Sequence, residues 1–309
     1  MNQVRVIHTG QVIIDLVMPI DRLPAPGGDT VARGATFEVG GGFNVMAAAA
    51  RDGMTVVHAG GHGRGRFGDM AREAMRREGI EWLAQMDETL DTGFCVALVD
   101  QAAERTFITH TGAEIGHLDV LYRLTPEPGD HVLVSGYTLF HETTGRALTE
   151  WLDTLPDQVP VIFDPGPMIG ELCPERLEKV MQRTTILSCN TDEARALTDT
   201  DSLKAATRAL PARTSAPLIV VRDGPRGCHL LMDGHHQHIA GFATRAVDTN
   251  GAGDAHTGVL VAALSRGQTP EQAAQRANAA AALAVSRHGP ATSPSGSEID
   301  ALLAHPPFP

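Results

Sequence analysis

The segment DTNGAGDAHTGVLVAAL, residues 248–264, sets Gly251, Ala252 and Gly253 directly before an acid, Asp254, and then runs into an apolar stretch. A helix that starts here leaves its first backbone N–H groups without intrahelical partners. Those groups and the helix dipole favour an anion, and small residues let a ligand approach the backbone closely. Gly251 to Asp254 therefore read as a cradle of amides for a phosphate. The Asp254 carboxylate would repel a phosphate, so in that reading it has another task, such as taking a proton from an attacking hydroxyl. The alternative is an ordinary helix start with Asp254 as its N-terminal cap.

A second glycine run lies near the N-terminus. In EVGGGFNVMAAAARDG, residues 38–53, Gly40, Gly41 and Gly42 precede Asn44, and an alanine-rich helix follows. The backbone is again bared at a helix start. Here the exposed side chain is a neutral amide, suited to a ligand rich in hydroxyls. The other reading is a tight turn that lets a helix pack closely on a sheet.

These two runs need a scaffold, and the rest of the chain supplies one. VRVIHTG at residues 4–10 reads as a first buried strand, and short apolar runs recur near Val56, Val134, Ile162, Ile186 and Val220. Helical patterns separate most of them: MAREAMRREG (70–79), GRALTEWLDTL (145–155) and PERLEKVMQR (174–183). Strand alternating with helix predicts a parallel sheet with helices on both faces. Such sheets bind ligands at the carboxyl ends of their strands. Two segments break the alternation. Residues 15–39 hold several prolines and glycines and no helical period. Residues 92–114 read as a hairpin, FCVALV and RTFITH around a polar turn. The two could pair as a small extra sheet, serving as a lid over an active site or as a structural flap or oligomer contact. The tail PPFP reads as a loose end.

Composition narrows the classes. The chain has 309 residues, a hydrophobic fraction of 42% and a formal net charge of −12. That is ample for a core and argues against a broad nucleic-acid surface. The only lysines are Lys179 and Lys204. No apolar run is long and unbroken enough to span a membrane. The four cysteines, Cys95, Cys173, Cys189 and Cys228, form no C-x-x-C pair, and no secretory signal precedes them, so a cytoplasmic location is expected.

Taken together, the two glycine runs resemble the signatures of the PfkB, or ribokinase-like, family of carbohydrate kinases. GGGFNVMAAA is similar to the family's N-terminal glycine and asparagine signature, and DTNGAGDAHTGVLVA to its C-terminal one. The resemblance covers nearly the whole chain. It implies an α/β fold, a ribokinase-like three-layer sandwich with a mainly parallel central sheet and a small β-sheet lid, as one domain over residues 1–309. It implies transfer of the γ-phosphoryl group of Mg-ATP to a hydroxyl, expected to be a primary alcohol, of a sugar or sugar-like acceptor. By resemblance, Asp254 is the base that activates the acceptor hydroxyl, and Gly251, Ala252, Gly253 and the Asp254 amide form the anion hole. Asp15, in GQVIIDLV, is the acid that binds acceptor hydroxyls at the root of the lid, with Gly41, Gly42 and Asn44 as further acceptor contacts. Asn190 and Glu193, in NTDEA, match an N-x-x-E motif tied to Mg²⁺ and phosphate. Asp248 and Asn250, with the loop SRHGPATS ending at Ser293, match the place where many members bind a monovalent cation such as K⁺. Asn278 falls where the family lines its adenine pocket, and Gly224 and Gly227, in VVRDGPRG, fall in the nucleotide loop. The lid is expected to close on the acceptor, and apolar lid faces would pair two chains as a homodimer.

The chain also departs from the family pattern. The nucleotide loop carries Arg222 and Asp223 where a threonine and a hydrophobic residue are usual, and Arg222 either reaches a phosphate or pairs with a surface acid. Ribokinases tend to carry a lysine in the first glycine run, and this chain does not, so ribose itself is not indicated. FDPGPMIG and the SGY segment look most like uncharacterised bacterial sugar kinases. A nucleoside kinase and a non-catalytic sugar or nucleotide sensor are the other readings.

Three further patterns invite other chemistry. GRGRFG, residues 63–68, fits the G-x-G-x-x-G of dinucleotide-binding proteins, but it does not follow the first strand and no strand ending in an acid comes about 20 residues later. No Walker lysine motif is present. His235, His236 and His238, in DGHHQHI, read as a solvated hairpin tip rather than a metal site. The acidic stretch 87–91 reads as a solvated loop.

Overall fold

The computed structural model describes residues 4–101, 104–116 and 119–305. The tail PPFP and residues 102–103 of the hairpin turn lie outside the described residues.

Strands and helices alternate along the chain as the apolar runs predict. The N-terminal part comprises β1 (Arg5–His8), β2 (Val12–Pro19), β3 (Thr36–Gly41), α1 (Phe43–Arg51), β4 (Thr55–His58), α2 (Arg66–Arg77), β5 (Glu81–Trp82), β6 (Phe94–Val99), β7 (Arg105–His110) and α3 (Asp119–Arg123). The middle comprises β8 (His131–Ser135), α4 (Gly136–Phe140), α5 (Glu142–Leu152), β9 (Val161–Asp164), α6 (Pro174–Arg183), β10 (Ile186–Asn190), α7 (Thr191–Thr198), α8 (Leu203–Ala209) and β11 (Leu218–Arg222). The hairpin β12 (Gly227–Met232) and β13 (His235–Ala240) leads to α9 (Ala252–Ser265), α10 (Pro270–Ala284) and α11 (Gly296–Ala304).

The central sheet runs β13-β12-β11-β10-β9-β8-β1-β4-β5. Its strands are parallel except at β12 and β13, which extend it antiparallel. The short runs are apolar at successive positions because both faces are covered. Val132 and Val134 enter a core with Leu148 and Trp151 of α5 and Val180 of α6. Leu133 between them enters the opposite core, with Met46 of α1 and Leu260 of α9. Val161 and Phe163 against Ile162, and Ile219 and Val221 against Leu218 and Val220, divide in the same way. The result is three layers, helices on either side of one sheet.

The two segments that broke the alternation do pair. They form a second sheet, β3-β2-β6-β7, with β2 parallel to β6 and antiparallel to β3, and β6 antiparallel to β7. The strands of its first segment, β2 and β3, begin at Val12 and end at Gly41, slightly beyond the expected bounds of 15–39. The sheet leans on α2, where the Phe67 ring lies 6.0 Å from Phe37 and 5.4 Å from Phe94.

Two local expectations shift. The histidines of DGHHQHI are not at the hairpin tip: the turn falls at Asp233–Gly234, and His235, His236 and His238 lie along the exposed edge strand β13. The helix expected at residues 145–155 starts earlier and stops at Leu152.

Candidate active site

Gly251 caps α9 with φ 74°, a left-handed conformation that L side chains rarely adopt. A Cβ there would come within 1.8 Å of the Pro290 carbonyl oxygen, so the loop behind it tolerates only glycine. This turn opens the first turn of α9, which carries Ala252, Gly253 and Asp254. The first-turn amides of a helix have no intrahelical acceptor and face outward.

Asp254 is not the cap of α9, which is Gly251 and carries no side-chain cap; its side chain is held by another helix. The Asn44 amide of α1 donates to its Oδ2 at 3.1 Å. The alanines of α1 and Gly258 of α9 make that approach possible. A Cβ on Gly258 would lie 2.4 Å from the Val45 carbonyl and 2.7 Å from Ala48 Cβ. Burial pushes the Asp254 carboxyl up to about 7, and the neighbouring Asp164 and Glu193 push the same way, while Asn44 and Arg222 oppose them. A carboxyl group poised there suits general-base work near neutral pH.

Beneath Asp254 lies an ion network at the carboxyl ends of β9, β10 and β11. Arg222 Nη1 donates to Asp164 Oδ2, Ser188 Oγ and Thr257 Oγ1, each at 2.8 Å, and Nη2 lies 3.3 Å from Glu193 Oε2. Arg222 therefore binds interior acids rather than a surface acid, and its guanidinium is occupied. A Cβ on Gly253 would sit 3.5 Å from the Arg222 guanidinium carbon, which places this charge directly under the α9 turn. Thr257, three residues after Asp254, also donates to Asp164 Oδ2 at 3.2 Å. Burial and then Asp164 push the Glu193 carboxyl up to about 7, against the pull of Arg222. Asp164 was not among the expected site residues. Its only sequence signal is an acid ending a buried strand in VPVIFDPGP.

Asn190 and Glu193 form a reciprocal capping box at the start of α7. Asn190 Oδ1 accepts from the Glu193 amide at 2.8 Å, and Glu193 Oε2 accepts from the Asn190 amide at 2.7 Å. Glu193 is 6% exposed and faces Asp164 and Arg222 rather than solvent. In the VVRDGPRG loop, Gly224 has φ 57° with open space where a Cβ would stand. At Gly227, φ 99°, a Cβ would lie 2.1 Å from the Ile239 carbonyl, so that glycine serves the turn. Asn278 is buried. Its Nδ2 donates to the carbonyls of Ile239 and Ala240, and its Oδ1 pairs with His256 Nε2. The amide is spent on tying β13 to α10, so Asn278 supports the wall of this region and offers no polar edge to it.

Across the cleft, Asp15 of β2 stands opposite Glu38 of β3 in the lid. A Cβ on Gly40 would lie 2.1 Å from Asp15 Oδ2, so the glycine makes room for the acid. Burial and then Glu38 push the Asp15 carboxyl up to about 6. Gly42 is required by His8 below it, whose Cε1 would lie 2.0 Å from an added Cβ. Tyr137, at the start of α4, was not foreseen. Burial and then the fields of Asp254, Cys95 and Asp15 push its phenol up to about 12.

Asp248 and Asn250 are together, with the Asn250 amide donating to Asp248 Oδ1 at 2.9 Å and the Gly289 amide to Oδ2 at 3.2 Å. Arg105 of lid strand β7 pairs with the same Oδ1. Ser293 is 4% exposed and its Oγ has no hydrogen-bond partner. The expected cation carboxylate thus already carries a guanidinium from the lid.

The rival motifs resolve locally. In GRGRFG the N-terminus of α2 is filled by Asp91, whose Oδ1 and Oδ2 accept from the Gly68 and Phe67 amides at 2.8 and 3.1 Å. A pyrophosphate there would meet a carboxylate. That acid belongs to the stretch expected to be a solvated loop, so the stretch has a structural duty as well. Among the described residues, no group of three or more His, Cys, Asp or Glu side chains is placed to hold a metal ion. No helix among them is long and apolar enough to cross a membrane.

The profile of the pfkB family carbohydrate kinases matches residues 4–296. The chain is 34% identical over 306 residues to the uncharacterized sugar kinase YegV of Escherichia coli, covering 97% of this chain and 94% of that one. It is 28% identical to an ATP-dependent ribose-1-phosphate kinase of Halopiger xanaduensis, over 97% of this chain and 98% of the relative. The crystal structure of ribokinase from Thermotoga maritima superposes with a TM-score of 0.81 at 25% identity, covering 98% of this chain and all of the other (100%). A putative ribokinase II from E. coli, solved with ATP and Mg²⁺, shares the fold with a TM-score of 0.82 at 21% identity, over 97% and 99% of the two chains.

Proposed function

The chain belongs to the PfkB family of carbohydrate kinases, and from that premise we propose that it moves the γ-phosphoryl group of ATP to a hydroxyl, a primary alcohol, of a sugar or sugar-like acceptor. The observation that carries this reading is the Asn44–Asp254 pair at the mouth of the Gly251 turn. It sets a base of suitable pKa beside outward-facing amides.

Phosphoryl transfer asks for positioning and charge stabilisation more than covalent chemistry. Asp15 in the lid holds acceptor hydroxyls, with the Gly41–Gly42 backbone and Asn44 completing the grip. Asp254 takes the proton of the attacking hydroxyl, which is worth roughly 10²–10⁴-fold. The Gly251 to Asp254 amides receive the oxygens of the transferring group, and Arg222 beneath Gly253 adds positive charge. Gly224 and Gly227 shape the turn over which the nucleotide lies, with Asn190 at its far side. Family membership implies use of ATP with Mg²⁺, which neutralises phosphate charge when bound. Glu193 and Asp164 are the carboxylates that would hold it through water, alongside their pairing with Arg222. One or two carboxylates with phosphates and waters is a usual magnesium environment.

Closure of the lid over the acceptor would exclude water and limit wasteful hydrolysis. The Arg105–Asp248 pair supports such a closed arrangement. The unpartnered Ser293 hydroxyl supports a K⁺ site shared with Asp248 and Asn250. Activity that is unchanged when K⁺ is replaced by a bulky organic cation would remove that part of the reading. Phe107 and Ile108 are 56% and 62% exposed on the lid edge, which supports a homodimer through the lid, and a monomer by light scattering would contradict it. The unpaired cysteines suit a reducing cytoplasm.

The testing experiment measures ADP release with Mg-ATP across pentoses, hexoses, ketoses, sugar acids and nucleosides. Release that depends on the acceptor supports the kinase. Tight ligand binding without turnover favours a sensor.

A further inference from the structure

Asp15 and Glu38 face each other directly across β2 and β3, so both carboxylates stand on the same side of the lid. Cys95, the partner of Asp15 on β6, marks the same face. Asp15 Oδ2 lies 2.1 Å from where a Cβ on Gly40 would stand, four residues before Asn44, which bonds Asp254. Glu38 Oε2 lies 3.3 Å from where a Cβ on Gly289 would stand, next to the Pro290 carbonyl that backs Gly251. Asp15 and Glu38 thus border the same region as the Gly251–Asp254 turn.

Two hydrogen-bond acceptors in this region are buried and have no partner: Glu38 Oε2 and Asn44 Oδ1. Asn44 is 6% exposed and its other amide atom is committed to Asp254. Buried polar atoms are rarely left unsatisfied in a protein at work. Atoms of this kind call for a ligand that donates hydrogen bonds, as hydroxyl groups do.

Among the described residues, no ion pair joins Asp15 or Glu38 to a basic side chain. Arg105 enters from the lid and is spent on Asp248. Arg222 enters from the sheet and is spent on Asp164 and Glu193. Gly41 and Gly42 add no side chain, and of the chain's two lysines Lys179 pairs with Asp153 on an exposed helix face.

We propose that the Asp15–Glu38 pair makes this site selective for uncharged polyhydroxy acceptors and against acceptors that already carry a phosphate or carboxylate group, with Glu38 as the specificity-determining residue. The proposal rests on the kinase reading above and narrows it. An anionic acceptor would bring like charge against two lid carboxylates in an enclosed space, which costs several-fold to hundreds-fold in affinity, while a neutral sugar gives each carboxylate a hydroxyl to accept from.

The test compares initial rates of ADP formation for pairs differing in charge: ribose with ribose 5-phosphate, fructose with fructose 6-phosphate, and glucose with gluconate. For any pair in which an acceptor is used, wild-type kcat/KM is expected to favour the neutral member by about 100-fold or more. In Glu38→Gln that preference is expected to shrink by about 10-fold, mainly through a lower KM for the charged member. A charged acceptor used as well as its neutral partner by the wild type overturns the proposal, whatever the variant does. An unchanged ratio in a folded Glu38→Gln overturns the role of Glu38. No turnover of any acceptor, neutral or charged, by a protein that binds ATP fails the kinase reading itself and removes this proposal with it.

Discussion

Asn44 on α1 and Asp254 on α9 are 210 residues apart in the chain, yet their side chains meet at 3.1 Å. Gly258 and the alanines of α1 bring the two helices close enough for the contact. The Asn44 amide donates to the ionised form of Asp254 and so opposes the upward push of burial. Replacing it by an apolar side chain of similar size, Asn44→Leu, is expected to move the rising limb of the kcat/KM pH profile to higher pH. A profile that stays in place would separate Asn44 from the ionisation of Asp254.

The same carboxyl makes stability depend on pH. Its ordinary value is 3.8, and in the folded chain it lies near 7. Between those values the folded protein keeps a proton that the unfolded chain has released. Wild-type stability therefore falls as pH rises from about 4 to about 7 and then levels off in this contribution. Asp254→Asn removes the cost. Its Tm is expected to exceed that of the wild type at pH 8, with the gap closing toward pH 4. An equal Tm at pH 8 would show that the carboxylate is not strained there.

Arg222 holds two buried acids, Asp164 and Glu193, at 2.8 and 3.3 Å. Removing one partner of a buried ion group leaves uncompensated charge, typically a loss of about 3–5 kcal/mol. Arg222→Met is expected to lose that much at neutral pH by denaturant unfolding, and less at pH 5, where Glu193 gains a proton. A uniform loss at both pH values would point to packing instead.

Arg105 joins the lid to the loop that starts α9 by pairing with Asp248. Arg105→Gln is expected to raise acceptor KM by about 10-fold and to increase the share of ATP hydrolysed without acceptor, because the lid closes less completely. A fall in kcat alone, with hydrolysis still coupled to acceptor, would place Arg105 outside lid closure.

The chemistry that was legible in the sequence is the part written in adjacent residues. The Gly251–Asp254 turn and the Gly40–Asn44 turn depend on small residues at fixed spacing, and both lie where the motifs place them. The alternating apolar runs foretold the parallel sheet, and the break in alternation foretold the lid. What escaped depends on meetings between distant segments. Asp164 and Tyr137 gain their roles because β8 and β9 end beside α9. The sequence leaves Arg222 between a phosphate and a surface acid, and the fold brings it Asp164 and Glu193. Asn278, expected by the adenine pocket, gives its amide to two carbonyls of β13. GRGRFG carries the spacing of a dinucleotide motif in the wrong place, and Asp91, more than 20 residues downstream, fills its helix terminus.

The most direct test of the central claim is acceptor-dependent ADP release by the wild type and Asp254→Asn, with ATP and acceptor binding measured alongside. If Asp254 is the base, both ligands bind the variant and kcat falls by roughly 10²–10⁴-fold. A folded variant that retains wild-type kcat would contradict the account and leave Asp254 only a structural partner of Asn44.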